Sequence, residues 1–504
     1  MSDSSSQDFT EHTFDAVVVG SGPAGNQIAD CLANASHPDF RSIAMVDCRP
    51  FGGTCALRGC NPKKVFTQIA DLAHRTSTLH HLLRPRPTQG KLKGHPHSQH
   101  SDSAATAADN FRGLQLHWPA TVAAKREFTD PVTPHRLQQV HDWNVTPYQG
   151  VARFDSPDTL IVEPLKSAGE TTKKVEHGPV RLKAQKIILA GGSIPRPLDF
   201  PGSHEVTTSD EYMELPSLPR HIVFLGAGYI STEFAGVACA AGCRVDMVET
   251  TDRILQGFDG DLAEQLLASL RHQGITVNLE TQPQEIVRGQ DDKLYLRCDQ
   301  AGESTMFEAD MIVHGAGRVP DTATLDAKAG NVRVSSRGVV VNGHRQSISN
   351  PNVYAAGDMA DTGCPPLTPS ANRDGHLVAN HLLGQATEES SDALVPTAVF
   401  TSPQMARVGK SVSDAEQAGD HFDVFYKDTT TSGSTRKAGG RASGHKILIE
   451  QQSRRILGAH LLGPEAAETI NLFALAMTHG LTADQMQDTL YAYPTFASDV
   501  GRMW

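Results

Sequence analysis

The chain is 504 residues long, with 39% hydrophobic residues and a formal net charge of −12. That length calls for about two to four domains, and the acidic balance excludes nucleic acid as a partner, because binding phosphate takes a basic surface. No apolar run reaches the ~18 residues of a membrane span, and eight cysteines in 504 residues are too few for a disulfide scaffold. Residues 1–11 are polar and acidic, with neither the basic nor the apolar region of a signal peptide, and read as a disordered tail. The expectation is a soluble cytoplasmic protein, in which a close cysteine pair is catalytic or metal-binding more often than structural.

In chain order, a buried strand over 14–19 runs into Gly20-Ser21-Gly22-Pro23-Ala24-Gly25. A helix over 26–33 and a strand over 42–46 follow, closed by Asp47. This is a βαβ unit of dinucleotide-binding length. Gly20, Gly22 and Gly25, with Pro23 and Ala24 between them, let backbone approach a pyrophosphate, which the helix N-terminus stabilises. Asp47 stands where an acid accepts hydrogen bonds from the adenosine ribose.

Next comes Gly52-Gly53-Thr54-Cys55-Ala56-Leu57-Arg58-Gly59-Cys60-Asn61-Pro62-Lys63-Lys64. Two cysteines four residues apart, just after a dinucleotide fold, read as a redox pair served by a flavin. Residues five apart on a regular helix point ~140° from each other, so Cys55 and Cys60 need a distorted turn, for which Gly59 supplies freedom. Asn61-Pro62 predicts a capped helix opening at Lys63. Its positive end, with Arg58, Lys63 and Lys64, predicts lowered thiol pKa values. The alternatives are a static disulfide or buried thiols; zinc would need two more ligands, and no second cysteine pair is placed to give them.

Residues 84–108 are rich in Pro, Gly and Ser, and His74, His80, His81, His95, His97 and His100 lie in or before them. Without regular ligand spacing they read as a solvated loop, and no metal site is assigned. A second unit starts at His221: a strand over 222–225, then Gly226-Ala227-Gly228-Tyr229-Ile230-Ser231, a helix, and a strand over 244–248 ending at Glu249. A carboxylate there hydrogen-bonds a free 2′-hydroxyl and repels a 2′-phosphate. With Arg253 the one nearby cation, NADH is expected over NADPH. Cys239 and Cys243, a helical turn apart, read as small core residues. A strand-rich tract over 276–313 and a short strand ending in Ala356-Gly357-Asp358 follow. From Val395 onward, strands over 398–401, 446–450 and 456–462 with a helix over 466–479 read as an α+β domain.

Taken together, these motifs resemble the FAD-dependent pyridine nucleotide–disulfide oxidoreductases, which include glutathione reductase, dihydrolipoamide dehydrogenase and mercuric reductase. The resemblance is carried by the cysteine segment, by Gly226 to Glu233, and by Gly317-Arg318-Val319-Pro320, Ala356-Gly357-Asp358, Leu367-Thr368-Pro369 and Val399-Phe400-Thr401-Ser402-Pro403. It implies an α/β fold of two Rossmann-like domains, for FAD and NAD(P), plus a C-terminal α+β dimerisation domain. The implied division is 12–201 and 326–394 for FAD, 202–325 for NAD(P), and 395–504 for the interface of a homodimer. Tyr229 would gate the nicotinamide, with Gly226, Gly228, Ile230 and Glu249 at the same cofactor. Glu233 would pair with Lys63 or Lys64. Cys60 would be the thiolate beside the flavin and Cys55 the exchange thiol. Gly53, Thr54, Asp358, Thr368 and Gly317 would attend the FAD.

One departure matters. Thiol-reducing relatives carry His-Pro-Thr with a glutamate five residues after the histidine, and the partner subunit contributes that histidine as the acid–base group. Here Tyr493 stands for the histidine and Ser498 for the glutamate, with Asp499 next to it. A phenol, titrating near ~10, is a poor proton shuttle at neutral pH. The chain also has no vicinal cysteines near Gly501-Arg502-Met503-Trp504 and no heavy-metal module before the flavin unit, as mercuric reductases have. Soluble transhydrogenases share the tyrosine and lack the cysteines. The expectation is an enzyme passing electrons from NADH, or NADPH, through FAD and Cys55–Cys60 to a small acceptor: a disulfide, a quinone or a metal. The alternatives are a diaphorase or transhydrogenase with a vestigial pair, and a flavin-containing redox or metal sensor.

Overall fold

The computed structural model describes residues 9–79, 114–164, 178–385 and 394–504. The chain divides into two compact units, each assembled from three stretches. The insertion at 84–108, with His80, His81, His95, His97 and His100, lies outside the described residues.

Among the described residues, the first unit is built on a seven-stranded sheet. Its centre is the strand Thr10–Val19, parallel to Ile43–Asp47 on one side and to Val180–Leu189 on the other. Alternation along the central strand explains its place: Ala16 and Val18 share a core with Ile28 and Leu32 of the helix Pro23–Asn34, while Val17 joins the core that holds Leu160, Val162 and Val339. Val353–Ala355 pairs with the far end of Val180–Leu189, which delivers Asp358 to the same strand ends as the first glycine loop. Thr10 and Glu11, expected in a disordered tail, are ordered in a strand, and residues 1–8 lie outside the described residues. Thr10 and Glu11 belong to the central strand and pair with Val180 and Arg181, because a ladder holds polar residues that propensity alone would leave loose.

The second unit carries, among its described residues, a four-stranded parallel sheet in the order Ile275–Asn278, Arg244–Val248, His221–Leu225, Met311–His314. The helix Tyr229–Ala240 packs on it through Phe234, Ala235, Val237 and Ala238. An antiparallel meander, Thr281–Arg288, Leu294–Gln300 and Glu303–Ala309, accounts for the strand-rich tract. A five-stranded antiparallel sheet forms the C-terminal part, and the helix Ala466–Thr478 covers it with Ile470 and Phe473. Its first strand is Thr397–Val399, so Phe400 and Thr401 leave the ladder. Among the described residues no helix is long and apolar enough to cross a membrane, and no group of three or more His, Cys, Asp or Glu could hold a metal ion.

The helix after the cysteines also departs from expectation. It spans Cys60–Leu79, one residue before Asn61, so Pro62 lies in its first turn, where no N–H is required. The Lys63 N–H donates to the Gly59 carbonyl at 3.1 Å, which is helical pairing already under way.

Candidate functional site

In the first unit the glycine loop is bent by backbone that only glycine takes without strain. Gly20 has φ +109°, and a Cβ on it would lie 2.1 Å from the Ala190 carbonyl oxygen. Gly53, at φ +72°, presses against Gly22 so closely that its own Cβ would fall 2.4 Å from Gly22 Cα. Gly22 and Pro23 open the helix Pro23–Asn34, whose first turn holds no acid. The result is a cradle of bare backbone at a positive helix end, which fits the diphosphate of a dinucleotide. Asp47 Oδ2 accepts from the Ser21 N–H at 2.8 Å and the Ser21 hydroxyl at 2.6 Å. The acid therefore fixes the loop.

Asp358 is held from the side. The Ser193 hydroxyl donates to its Oδ2 at 2.7 Å, and Arg318, just after Gly317, donates to that hydroxyl from Nε at 3.0 Å and to the Ser193 carbonyl. The adjacent Gly357 N–H donates to Asp374 Oδ2 at 3.0 Å, and Asp374 is paired with Arg345 at 2.7 Å. Ser193, Arg345 and Asp374 went unnoticed in the sequence; Gly191-Gly192 after a buried strand was the available signal. If Asp358 holds FAD, as the resemblance implies, Ser193→Ala weakens FAD binding about tenfold, the effect of losing one hydrogen bond to a charged group. Titrating apoprotein with FAD by fluorescence quenching checks this.

The cysteine pair lies across a break between two helices. The helix Gly53–Leu57 ends at Arg58, whose N–H donates to the Thr54 carbonyl at 2.8 Å. A Cβ on Gly59 would come 2.9 Å from that same oxygen, so close approach explains this glycine. Cys55 is half-buried and Cys60 exposed, and both are thiols. The Thr368 hydroxyl donates to Cys55 Sγ at 3.0 Å and stands 3.9 Å from Cys60 Sγ. One expectation fails here: the Cys55 thiol is pushed up, not down. Its hydrogen bond with Cys60 is the main cause and burial adds to it, and together they outweigh the Thr368 hydroxyl. Cys55 keeps its proton while Cys60 serves as its partner.

In the second unit the glycine loop repeats the first. Glu249 Oε2 accepts from the Ala227 N–H at 2.6 Å, as Asp47 does from Ser21. Its Oε1 accepts from the Thr251 N–H and hydroxyl, both at 2.9 Å. Arg253 donates to the Gln256 carbonyl at 2.9 Å, the Gln256 amide oxygen at 3.1 Å and the Phe258 carbonyl at 3.3 Å. Ser231, where a third small residue is required, is fully buried because Gly315 faces it; a Cβ there would lie 2.0 Å from Ser231 Oγ. Gly226 turns at φ +83°, Gly228 precedes the helix, and Tyr229 and Ile230 begin it. Tyr229 leans on Phe258, ring centroids 5.5 Å apart. Although its side chain is 36% exposed, loss of water around the hydroxyl pushes it up to about 12.

Of the two candidate lysines, Lys64 is seen in contact with Glu233. Lys64 Nζ meets both oxygens of Glu233, at 2.8 and 3.0 Å, and lies 3.8 Å above the Phe400 ring. The Phe400 N–H donates to Glu233 Oε1 at 2.9 Å, and the Glu233 side chain is 1% exposed. At the C-terminus Tyr493 is 80% exposed beside Leu490, which is 98% exposed. Ser498 turns inward on its own loop, donating to the Thr495 carbonyl at 2.6 Å. The structure thus gathers Cys55, Cys60 and Thr368 in the first unit, and Lys64, Glu233 and Phe400 in the second.

Comparison with known proteins agrees with this geometry. Residues 14–375 match the family described as pyridine nucleotide-disulphide oxidoreductase, and residues 395–503 match its dimerisation domain. The dihydrolipoyl dehydrogenase of Haloferax volcanii is 27% identical over 96% of this chain and 94% of its own length. The glutathione reductase of Burkholderia cepacia is 26% identical over 97% and 98%, and the mercuric reductase of Staphylococcus aureus 26% identical over 96% and 80%. Among solved structures, the Cu(II) complex of the HOCl-induced flavoprotein disulfide reductase RclA from Escherichia coli superposes with a TM-score of 0.80 at 23% identity, covering 98% of this chain and 99% of that one.

Proposed function

We propose, for a chain that belongs to the pyridine nucleotide-disulphide oxidoreductase family, an NADH-dependent enzyme that passes electrons to a small acceptor through Cys55 and Cys60. The observation that carries this reading is the pair itself: two adjacent thiols, linked to each other and touched by Thr368 at 3.0 Å on Cys55. A vestigial pair would have no need of a hydroxyl aimed at its sulfur. The family uses FAD and a pyridine nucleotide. The residues present suit FAD: Gly20, Gly22, Gly53 and the start of the Pro23–Asn34 helix would take the diphosphate, Asp47 the ribose and Asp358 the ribityl chain. FAD, when bound, supplies two-electron transfer between NADH and the cysteine pair. In the first unit the chain's own residues hold Asp358 through Ser193 and keep the proton on Cys55; in the second, Glu233 fixes Lys64.

Glu249 and Arg253 support NADH as donor. The carboxylate faces the ribose position, and the nearby guanidinium is already committed to carbonyls of its own loop. A 2′-phosphate would meet the negative charge of Glu249, with Arg253 already engaged by its own loop. We expect kcat/KM for NADH to exceed that for NADPH by about 10²-fold, a difference of ~2.7 kcal/mol. Steady-state kinetics with both coenzymes and a dye acceptor test this, and a preference for NADPH would overturn it. The dimerisation domain points to a homodimer, in which Tyr493 is the proton group offered to the exchange thiol. Without a histidine there, an acceptor whose reduction takes up no proton, such as a metal ion, is favoured over thiol disulfides. A reducing cytoplasm suits a pair that must cycle through its dithiol form.

A further inference from the structure

Asp259 ends the loop that follows Glu249 and caps the helix Gly260–His272, its Oδ1 accepting from the Leu262 N–H at 3.2 Å. Its other oxygen accepts from the Lys446 ammonium at 2.6 Å, and Asp261 Oδ2 accepts from the same ammonium at 2.6 Å. Lys446 lies on the strand Gly444–Glu450, opposite His460 of the neighbouring strand. The side chains of Lys446 and Asp259 are only 10% and 9% exposed, so salt screens this contact poorly. Burial works against the lysine charge, yet the two aspartates more than offset it and hold the ammonium above the ordinary lysine range.

The loop between Glu249 and Asp259 is fastened at its other end to the glycine turn. The Leu255 N–H donates to the Ala227 carbonyl at 3.0 Å, and the Ala227 N–H donates to Glu249 at 2.6 Å. Next to Asp259, Phe258 is buried and packs against Tyr229, with the Arg407 guanidinium 5.9 Å from its ring centre. One end of the loop therefore reads the glycine turn, and the other end leads to Lys446. Lys446 itself borders neither the turn nor the tyrosine.

We propose that Lys446 is a positioning residue for pyridine nucleotide affinity: its grip on Asp259 holds residues 250–258 against the Gly226 turn and seats Phe258 beneath Tyr229. This rests on the reading of the second unit as the pyridine nucleotide site. The test uses the FAD-loaded enzyme as wild type, Lys446→Met, Lys446→Arg and Asp259→Asn. Equilibrium Kd for NAD+ is measured by calorimetry, and kcat and KM for NADH with a dye acceptor. Asparagine keeps the helix cap while removing the charge that Lys446 holds.

The expected result is a rise of about tenfold in Kd and KM for Lys446→Met and about threefold for Asp259→Asn, with kcat within about twofold, and recovery in Lys446→Arg. A merely structural role would lower the thermal midpoint and leave Kd unchanged. An unchanged Kd in Asp259→Asn overturns the proposal even where Lys446→Met fails to fold. A wild type that binds and oxidises NADH while both variants match it leaves the nucleotide site standing and removes only this inference. A wild type that binds no NAD+ removes both.

Discussion

Cys55→Ser lowers turnover on disulfide acceptors at least about 10³-fold and leaves NADH-driven quinone or dye reduction within about twofold of wild type. The loss follows from chemistry: serine cannot form a disulfide, and removing a nucleophile typically costs ~10⁴–10⁶ in kcat. The spared activity follows from place. The side chains of Asp358 and Ser193, proposed to hold the flavin, bond to each other and not to Cys55, and a serine at 55 can still accept from the Thr368 hydroxyl. An acceptor screen with NADH, run in parallel on wild type and variant, sorts acceptors into those reduced by the thiols and those reduced by the flavin. If disulfide turnover survives Cys55→Ser, the pair is vestigial and the diaphorase reading takes over.

Tyr493→His raises disulfide turnover by about 10²-fold, within the ~10²–10⁴ that a well-placed general acid supplies. The new imidazole gives its proton to the leaving thiolate, so it acts while protonated. The gain is full below its pKa, near ~6.5 for an unperturbed histidine, and fades as pH rises through that value. The pH profile of the variant should acquire this limb, and wild type should lack it. Within its own chain Tyr493 is 80% exposed, so the substitution disturbs little packing there. Size-exclusion chromatography establishes that the dimer is intact. No gain in an intact dimer would mean that the C-terminal tyrosine is not what limits thiol exchange.

What was legible in the sequence was local. The two glycine loops, the cysteine spacing and the acids ending the second strands each declare themselves within a few residues, because turn geometry and charge at a helix end are short-range matters. Partners from elsewhere in the chain were not legible. Lys63 and Lys64 are equivalent on paper, and the contact of Lys64 with Glu233, 169 positions away, appears only in the fold. Ser193 reaches Asp358 across 165 positions, so its role appears only once the strands are ordered. The Cys55 thiol shows the same limit. Its basic neighbours in sequence suggested a lowered pKa, but the groups that decide it are Cys60 and burial. The helix start moved from Lys63 to Cys60 because a proline in a first turn costs no hydrogen bond.

The most direct test of the electron path is an anaerobic titration of the purified flavoprotein with dithionite, then with NADH, followed by absorbance. A working Cys55–Cys60 pair beside one flavin takes up about four electrons per subunit, two for each centre. An endpoint of about two electrons, unchanged in Cys55→Ser, would contradict the account, because the cysteines would then hold no electrons on the path from NADH to the acceptor.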